Sequence, residues 1–233
     1  MHLRDLTQYL AELSENNNRA WFVMNKPRYD ILREEFLTLT TSLIGQIAKF
    51  DPAIASCNPK RALFRINRDM RFSHDKTPYK SFFSASITSS GLKKPSQGGG
   101  PSYYCQINAQ SKLLVAAGEW LPPADRLRAI RNRILENPAA FARIANGRSL
   151  ATHFGGMQQE GKLKRPPKGF EADAPQIELI KLKHFIVWHE TPVAGRMPEV
   201  LEKDIVAGFK IAKPLVTWLR DIKTPLADDP ASA

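Results

Sequence analysis

Apolar positions in the first fifty residues recur at helical spacing. The first series is formed by Leu3, Leu6, Leu10 and Leu13. A second series runs from Trp21 to about Lys49, and both series have the three- and four-residue intervals of an amphipathic helix. Pro27 lies inside the second series, which predicts either a kink there or a new helix that begins with this proline. We therefore expect a helical hairpin.

The middle of the chain alternates between apolar and polar positions, which predicts strands. In residues 64–72, Phe64, Ile66, Met70 and Phe72 would point one way and Arg65, Asn67, Asp69 and Arg71 the other. The segment "SHDKTP" is typical of a turn. Further strands are predicted over residues 81–88, 103–108 and 112–118, and the last two are close enough in sequence to form an antiparallel hairpin.

The remainder of the chain is predominantly helical. Helices are predicted over residues 122–136, 137–145, 175–182 and 198–218, the last with a kink at Pro214, while "HFIVWHE" has the composition of a strand. Strands in the middle and helices at both ends predict an α+β fold with a largely antiparallel central sheet covered by N-terminal and C-terminal helices. We expect residues 1–221 to form a single domain and residues 222–233 to form a frayed tail.

The composition of the chain indicates the cellular compartment in which the protein is expected. No apolar stretch approaches the roughly 18 residues that span a bilayer, and the amphipathic N-terminus does not resemble a signal peptide. The expectation is a cytoplasmic protein without membrane partners. Cys57 and Cys105 lack CxxC spacing, so reduced thiols are expected.

The net charge of +11 is concentrated in one region. Ten of the eleven excess positive charges lie between residues 51 and 150. A regional positive field attracts anionic partners, whereas an evenly basic surface mainly affects solubility. A basic solvated face without a ligand is the alternative interpretation.

Several blocks of sequence resemble a known family. They are "NNNRAWFVMNKPRYD", "FRINRDMRFSHDKTPYKSFF", "YYCQI", "GEWLPPADRLRAIR", "LKRPPKGF" and "KPLVTWL". In this order they resemble domain of unknown function 2461, a family of conserved hypothetical proteins, over roughly Leu6 to Leu219. The resemblance implies a single-domain cytoplasmic protein of mainly bacterial type and assigns no catalytic residue. "AAGEWLP" departs from the more glycine-rich pattern expected of the family, which sets Glu119 apart.

The predicted strand over residues 64–72 carries the best candidate site. On one strand face, Arg65, Asn67, Asp69 and Arg71 would stand about 7 Å apart, so that two guanidinium groups could grip one anion. Asp69 would orient the arginines or, in an enzyme, accept a proton as the catalytic residue. Further ligand-binding candidates are Lys76 and Lys80 in the turn, Ser84 on the next strand and Arg131 on the helix beyond it. The expected ligand is an anionic, phosphate-bearing small molecule, and the residues leave open whether the chain is an enzyme.

A structural interpretation competes with this site. Asp69 and Asp75 could instead pair with Arg68, Arg71 or Lys76 and fix the strand to its turn, although the segment has more cations than carboxylates. We expect Arg68 to cap a helix end or pair with a helix carboxylate. Arg126 and Arg133 share a predicted outer helix face and are expected to be solvated.

Other chemistries have weaker signals. The histidines are scattered, and no P-loop or GxSxG motif is present, so no metal and no cofactor are expected. Four aromatic residues near the basic region could stack nucleobases. They are Tyr79, Tyr103, Tyr104 and Trp120. As residues of the core or its rim they would need no such role. The alternative functions are nucleic-acid binding without catalysis and a scaffold that docks an acidic partner.

Overall fold

The computed structural model describes residues 1–69, 71, 75–89 and 100–223. The described helices are α1 (Leu3–Glu15), α2 (Arg19–Met24), α3 (Lys26–Ala48), α4 (Pro59–Ala62), α5 (Ala124–Glu136), α6 (Pro138–Ala145), α7 (Arg148–Phe154), α8 (Ile177–Ile180) and α9 (Pro198–Arg220), with a 3-10 turn at Pro52–Ile54. The strands are β1 (Phe82–Ile87), β2 (Ser102–Asn108), β3 (Lys112–Glu119) and β4 (Phe185–Pro192). The predicted α+β class is confirmed.

The four strands form one antiparallel sheet in the order β1-β2-β3-β4. Because side chains alternate along a strand, each strand contributes to two faces. The first face carries buried apolar side chains that include Ala85, Tyr103, Cys105, Val115 and Val187. Long helices α3 and α9 pack on this first face. The second face carries polar and aromatic side chains, among them Ser86, Tyr104 and Trp188, and lines a cavity.

The second arm of the helical hairpin consists of two helices, α2 and α3, and not of one kinked helix. The Asn18 side chain accepts a hydrogen bond from the Trp21 amide at 3.0 Å and caps α2. Pro27 occupies the first turn of α3, where its missing N–H costs no helical hydrogen bond. Of the two arrangements left open by the sequence, the new helix is the one formed. The final helix α9 continues through Pro214.

The prediction of one continuous strand over residues 64–72 is wrong. The described residues of this segment form one isolated bridge, Asn67 with Tyr79, and a second bridge, Leu63 with Ala85, lies just before the segment. The segment first pairs with β1 and then turns to pair with the residues just before β1. Pro78 has no N–H to donate and therefore interrupts the ladder. Met70 and Phe72 lie outside the described residues.

Helix α7, which the sequence pattern did not indicate, packs against α9 and β4. None of the helices in the described part of the chain has the length and apolar character to cross a bilayer. The predicted frayed tail falls outside the description from residue 224 onward.

Candidate ligand-binding site

A basic edge, defined here as Arg65, Arg68, Arg71 and Lys80, lies beside the outer strand β1. The Phe64 amide donates to the Ser84 carbonyl at 3.0 Å, and the Lys80 amide donates to the Ile66 carbonyl at 2.8 Å. These two bonds fix the segment that carries the cations against the sheet.

The helical hairpin also holds the basic edge in place. The Asn17 side chain donates to the Tyr79 carbonyl at 2.9 Å and accepts from the Tyr79 amide at 3.0 Å. The Tyr79 ring stacks on Phe22, with centroids 4.1 Å apart. The residue next to Lys80 is therefore clamped from both its backbone and its side chain, which positions Lys80 on a rigid support.

The Lys80 ammonium is a half-buried charge with cationic neighbours. Its Nζ atom lies 5.1 Å from the centroid of the Phe64 ring and 5.9 Å from that of Phe82. Burial, followed by the positive charges of Arg65 and Arg68, lowers the pKa of Lys80. No carboxylate within the described ranges comes within ion-pairing distance of its Nζ atom. The aromatic faces stabilise this ammonium, but they do not neutralise it.

Asp69 and Arg71 form a close ion pair. The Arg71 Nε atom donates to Asp69 Oδ1 at 3.0 Å and one terminal nitrogen donates to Asp69 Oδ2 at 2.9 Å. The hydrogen bond from Arg71 lowers the pKa of Asp69 to about 2. Arg65 is 3.9 Å from the same carboxylate, beyond hydrogen-bonding distance. The Arg65 side chain is 71% exposed, so its charge faces solvent beside Lys80.

Arg68 contacts the turn and not a helix, which corrects the prediction for it. Its guanidinium pairs with Asp75 at 2.8 Å and donates to the Thr77 carbonyl at 3.2 Å. The Asp75 carboxylate in turn accepts from the Thr77 amide at 2.9 Å. Both described carboxylates of the segment are thus paired as in the structural interpretation, Asp75 with Arg68 and Asp69 with Arg71.

The other candidate residues are dispersed. Asn67 and Lys76 are exposed near the basic edge, whereas Ser84 is buried on β1. Arg131 lies on α5, is 8% exposed, and donates to the carbonyls of Ile180 and Leu182 at 2.8 and 3.1 Å. The structure brings Arg65, Asp69 and Arg71 together but does not bring Arg131 into direct contact with them.

Arg126, predicted on an outer helix face, is instead buried. It is 8% exposed and pairs with Glu119 at 2.9 Å. Its terminal nitrogens also donate to the carbonyls of Leu219 and Ile222 at the end of α9. The prediction of a solvated Arg126 is therefore wrong, because a carboxylate at the end of β3 and the orphan carbonyls of a helix C-terminus give the guanidinium partners inside the fold.

A cavity of about 570 Å³ opens on the second face of the sheet. We call it the sheet cavity. Its floor follows one cross-strand row, in which Ser86 lies opposite Tyr104, Tyr104 opposite Ala116, and Ala116 opposite Trp188. Its rim includes Phe64, Leu114, Trp120, Leu121, Glu160, Ile186 and Glu190. Phe64 thus lines the cavity, and its ring also lies against the Lys80 ammonium.

Most of the chain matches one family model. The family model of conserved hypothetical proteins described as DUF2461 matches residues 5–218. The chain belongs to this family. No curated protein and no solved structure matches it. The DUF2461 match covers the basic edge and every residue of the sheet cavity, so both are parts of the family domain.

In this DUF2461 domain, stacked rings form one wall of the sheet cavity. The Trp120 ring lies on His184 with centroids 3.8 Å apart and planes 17° apart, and it meets Trp188 at 5.5 Å. The His184 Nδ1 atom accepts a hydrogen bond from the Leu121 amide at 3.2 Å, so the neutral ring carries its proton on Nε2. Burial lowers the pKa of His184, which favours that neutral form.

Carboxylates lie at the same end of the cavity. Glu190 is 3.2 Å from the Lys112 ammonium, which offsets its charge. Glu160 also lines the cavity, and its charge acts on His184. Sequence reasoning identified Tyr104 and Trp120 as aromatic candidates but missed Trp188, although the alternation within "HFIVWHE" places it on the face opposite Phe185 and Val187.

Proposed function

We propose that this protein binds a small anionic, phosphate-bearing ligand at the basic edge. The observation that supports the proposal most strongly is the position of Lys80, which is half-buried, lies among cations, and has no carboxylate partner in the described part of the chain. Arg65 adds an exposed positive charge beside Lys80, while Arg68 and Arg71 pair with Asp75 and Asp69.

The physical argument concerns the cost of that charge. Removing an ammonium from water is unfavourable unless an opposite charge or hydrogen bonds compensate for it. The positive charges of Arg65 and Arg68 add repulsion at Lys80. A bound phosphate oxygen would remove both penalties, since charge-assisted hydrogen bonds are about twice as strong as neutral ones.

Asp69 has a supporting role in this proposal. Its two hydrogen bonds from Arg71 orient the guanidinium, and a carboxylate with a pKa of about 2 is a weak base at neutral pH. We therefore assign Asp69 to positioning Arg71 and assign no proton transfer to it. The proposed function is binding.

Calorimetric titration tests this proposal. Inorganic phosphate, pyrophosphate, a sugar phosphate and nucleotides would be titrated into the native protein and into Lys80→Met, which keeps an apolar side chain against Phe64 and Phe82. At least one phosphate-bearing ligand should bind, and its affinity should fall at least tenfold in Lys80→Met. Arg133→Ala removes one exposed positive charge on α5 and is the matched control, which should bind normally.

Two outcomes would contradict the proposal. One is the failure of every phosphate-bearing ligand to bind. The other is an equal loss of affinity in Lys80→Met and Arg133→Ala, which would indicate a general field effect. Duplex DNA provides a further arm: a slope of log K against log salt of about −0.9 per phosphate contacted, with equal losses in both variants, would favour the nucleic-acid alternative.

A further inference from the structure

We infer that the sheet cavity holds a planar aromatic base belonging to the same ligand, and that the ligand is therefore a nucleoside di- or triphosphate. The inference rests on the proposed function, because it takes the basic edge as the phosphate site. Beyond the phosphate site, the inference specifies that the ligand carries an aromatic base and how far that base lies from the phosphates.

The cavity floor contains a slot that fits one planar ring system. Tyr104 and Trp188 stand on either side of Ala116 in the same cross-strand row. Two strand spacings separate the two aromatic positions by about 9 to 10 Å. A planar ring midway between these two strand positions would lie about 5 Å from each, within the 4.5–7 Å range at which aromatic rings pack favourably.

Ala116 is the small residue between these two aromatic positions. It is 2% exposed, so neighbouring side chains already cover its methyl group, and any larger residue there would displace them and narrow the cavity. The wall is also preorganised, because Trp120 is fixed by its stack on His184 and reaches Trp188. A volume of about 570 Å³ falls within the roughly 300–1,000 Å³ of small-ligand pockets.

Phe64 connects the slot to the basic edge. Its ring is 6.0 Å from that of Tyr104 and 5.1 Å from the Lys80 ammonium. From Ala116 on β3 to the segment that carries Phe64 is a distance of three strand spacings, about 14 Å. A base in the slot can reach Lys80 only through a spacer, which a ribose followed by two or three phosphates supplies and a single phosphate does not.

The charges along this path are arranged to suit such a ligand. The Lys80 ammonium lies beside Phe64. At the other end, Glu190 follows Trp188 by two residues on β4 and pairs with Lys112, and the Glu160 charge acts on His184, which stacks on Trp120. Carboxylates accept hydrogen bonds and repel phosphate. The ligand should therefore enter with its phosphates toward Lys80 and with an amino-bearing base, such as adenine, toward the carboxylates.

Three probes separate the two halves of the site. Calorimetry with pyrophosphate measures the basic edge alone, adenosine measures the slot alone, and ADP measures both. ADP should bind at least tenfold more tightly than pyrophosphate and more tightly than AMP. Ala116→Leu should reduce ADP affinity to that of pyrophosphate while pyrophosphate binding stays unchanged. Ala139→Leu, at an exposed position of α6, is the matched control and should bind ADP normally.

A second variant tests the same site in case Ala116→Leu does not fold. Trp188→Leu removes one wall of the slot from a half-exposed position and should lower ADP affinity without altering pyrophosphate binding. If pyrophosphate binds but ADP binds no more tightly, the inference fails and the proposed function stands. If pyrophosphate does not bind and Lys80→Met has no effect on ADP, the proposed function fails with it. Tighter binding of a single-stranded oligonucleotide than of ADP, lost in both cavity variants, would also overturn the inference.

Discussion

The Asp51 carboxylate accepts two hydrogen bonds from the Arg220 guanidinium, at 2.8 and 2.7 Å. The Tyr103 hydroxyl donates to the same carboxylate at 2.8 Å. Asp51 is 3% exposed and follows α3, Tyr103 lies on β2, and Arg220 ends α9. One buried contact therefore joins the helical layer to the sheet whose other face forms the cavity.

Removal of the Asp51 carboxylate should destabilise the protein strongly. Asp51→Ala leaves the Arg220 guanidinium largely buried without its partner, and breaking such a pair costs about 3 to 5 kcal/mol. Urea unfolding should show a loss at the lower end of that range, since Arg220 retains some solvent contact. Tyr103→Phe removes one hydrogen bond and should cost about 1 kcal/mol. Equal losses in the two variants would show that the ion pair is not the dominant contact.

The same contact should make stability sensitive to acid. Burial alone would raise the pKa of Asp51, but hydrogen bonds from Arg220 and Tyr103 and the charge of Arg220 outweigh burial and lower it. Protons therefore bind this residue more readily in the unfolded chain. The stabilisation is fully present above the ordinary pKa of 3.8 and is lost as the pH falls through the lower folded value. The free energy of unfolding should fall more steeply below about pH 4 in the native protein than in Asp51→Asn, and parallel curves would contradict this.

The Glu119–Arg126 pair should be worth far more to the fold than a surface pair. Glu119 is 2% exposed, so Glu119→Ala leaves a buried guanidinium without its carboxylate and should cost about 3 kcal/mol in urea unfolding. Lys112→Ala breaks the exposed pair with Glu190 and should cost less than about 1 kcal/mol. A Glu119→Ala loss as small as that of Lys112→Ala would show that Arg126 is held by the α9 carbonyls alone.

Gly118 should not tolerate any side chain. Its φ is +124°, and a Cβ atom there would lie 2.2 Å from the Phe185 carbonyl oxygen. The obstacle is backbone of the paired strand β4, which cannot move without breaking the ladder. Gly118→Ala should lower the free energy of unfolding by more than about 2 kcal/mol. Gly45→Ala, where a Cβ meets nothing within 4 Å, should be neutral or stabilising because the site is helical.

The sequence was most informative where a periodic pattern coincides with burial. The leucines of α1 and the alternating residues of β2 and β3 predicted the elements that form the core, because helical and strand periods are set by the backbone itself. Pro27 limited the hairpin to two arrangements, but only the Asn18 cap and the position of the proline in α3 distinguish between them.

The wrong predictions concern charged residues whose partners lie outside their own helix or strand. Arg126 has the spacing of a helix-surface residue, yet carbonyls at the end of α9 bind its guanidinium group inside the fold. Arg68 likewise finds Asp75 across a turn. Local spacing determines which face a side chain occupies, but the groups it meets depend on tertiary packing, which no single segment of the sequence encodes.

The sequence did not predict the sheet cavity, because the residues that line it come from separate elements. Tyr104 and Trp120 could be identified as aromatic candidates from their place near the basic region, whereas Trp188 is some seventy residues further along the chain and joins them only through the β3–β4 register. Phe64 was expected on the apolar face of a predicted strand. Its role as a link between Lys80 and Tyr104 became apparent only from the ring distances.

The titration of Lys80 by NMR tests the central claim most directly. Lysine side chains labelled with ¹³C at Cε would be titrated with base, and Lys80→Met would assign the Lys80 signal. The account predicts a midpoint below the ordinary value of 10.5 that rises when pyrophosphate is added, since a bound anion favours the ammonium form. A midpoint that pyrophosphate leaves unchanged would contradict anion binding at this residue.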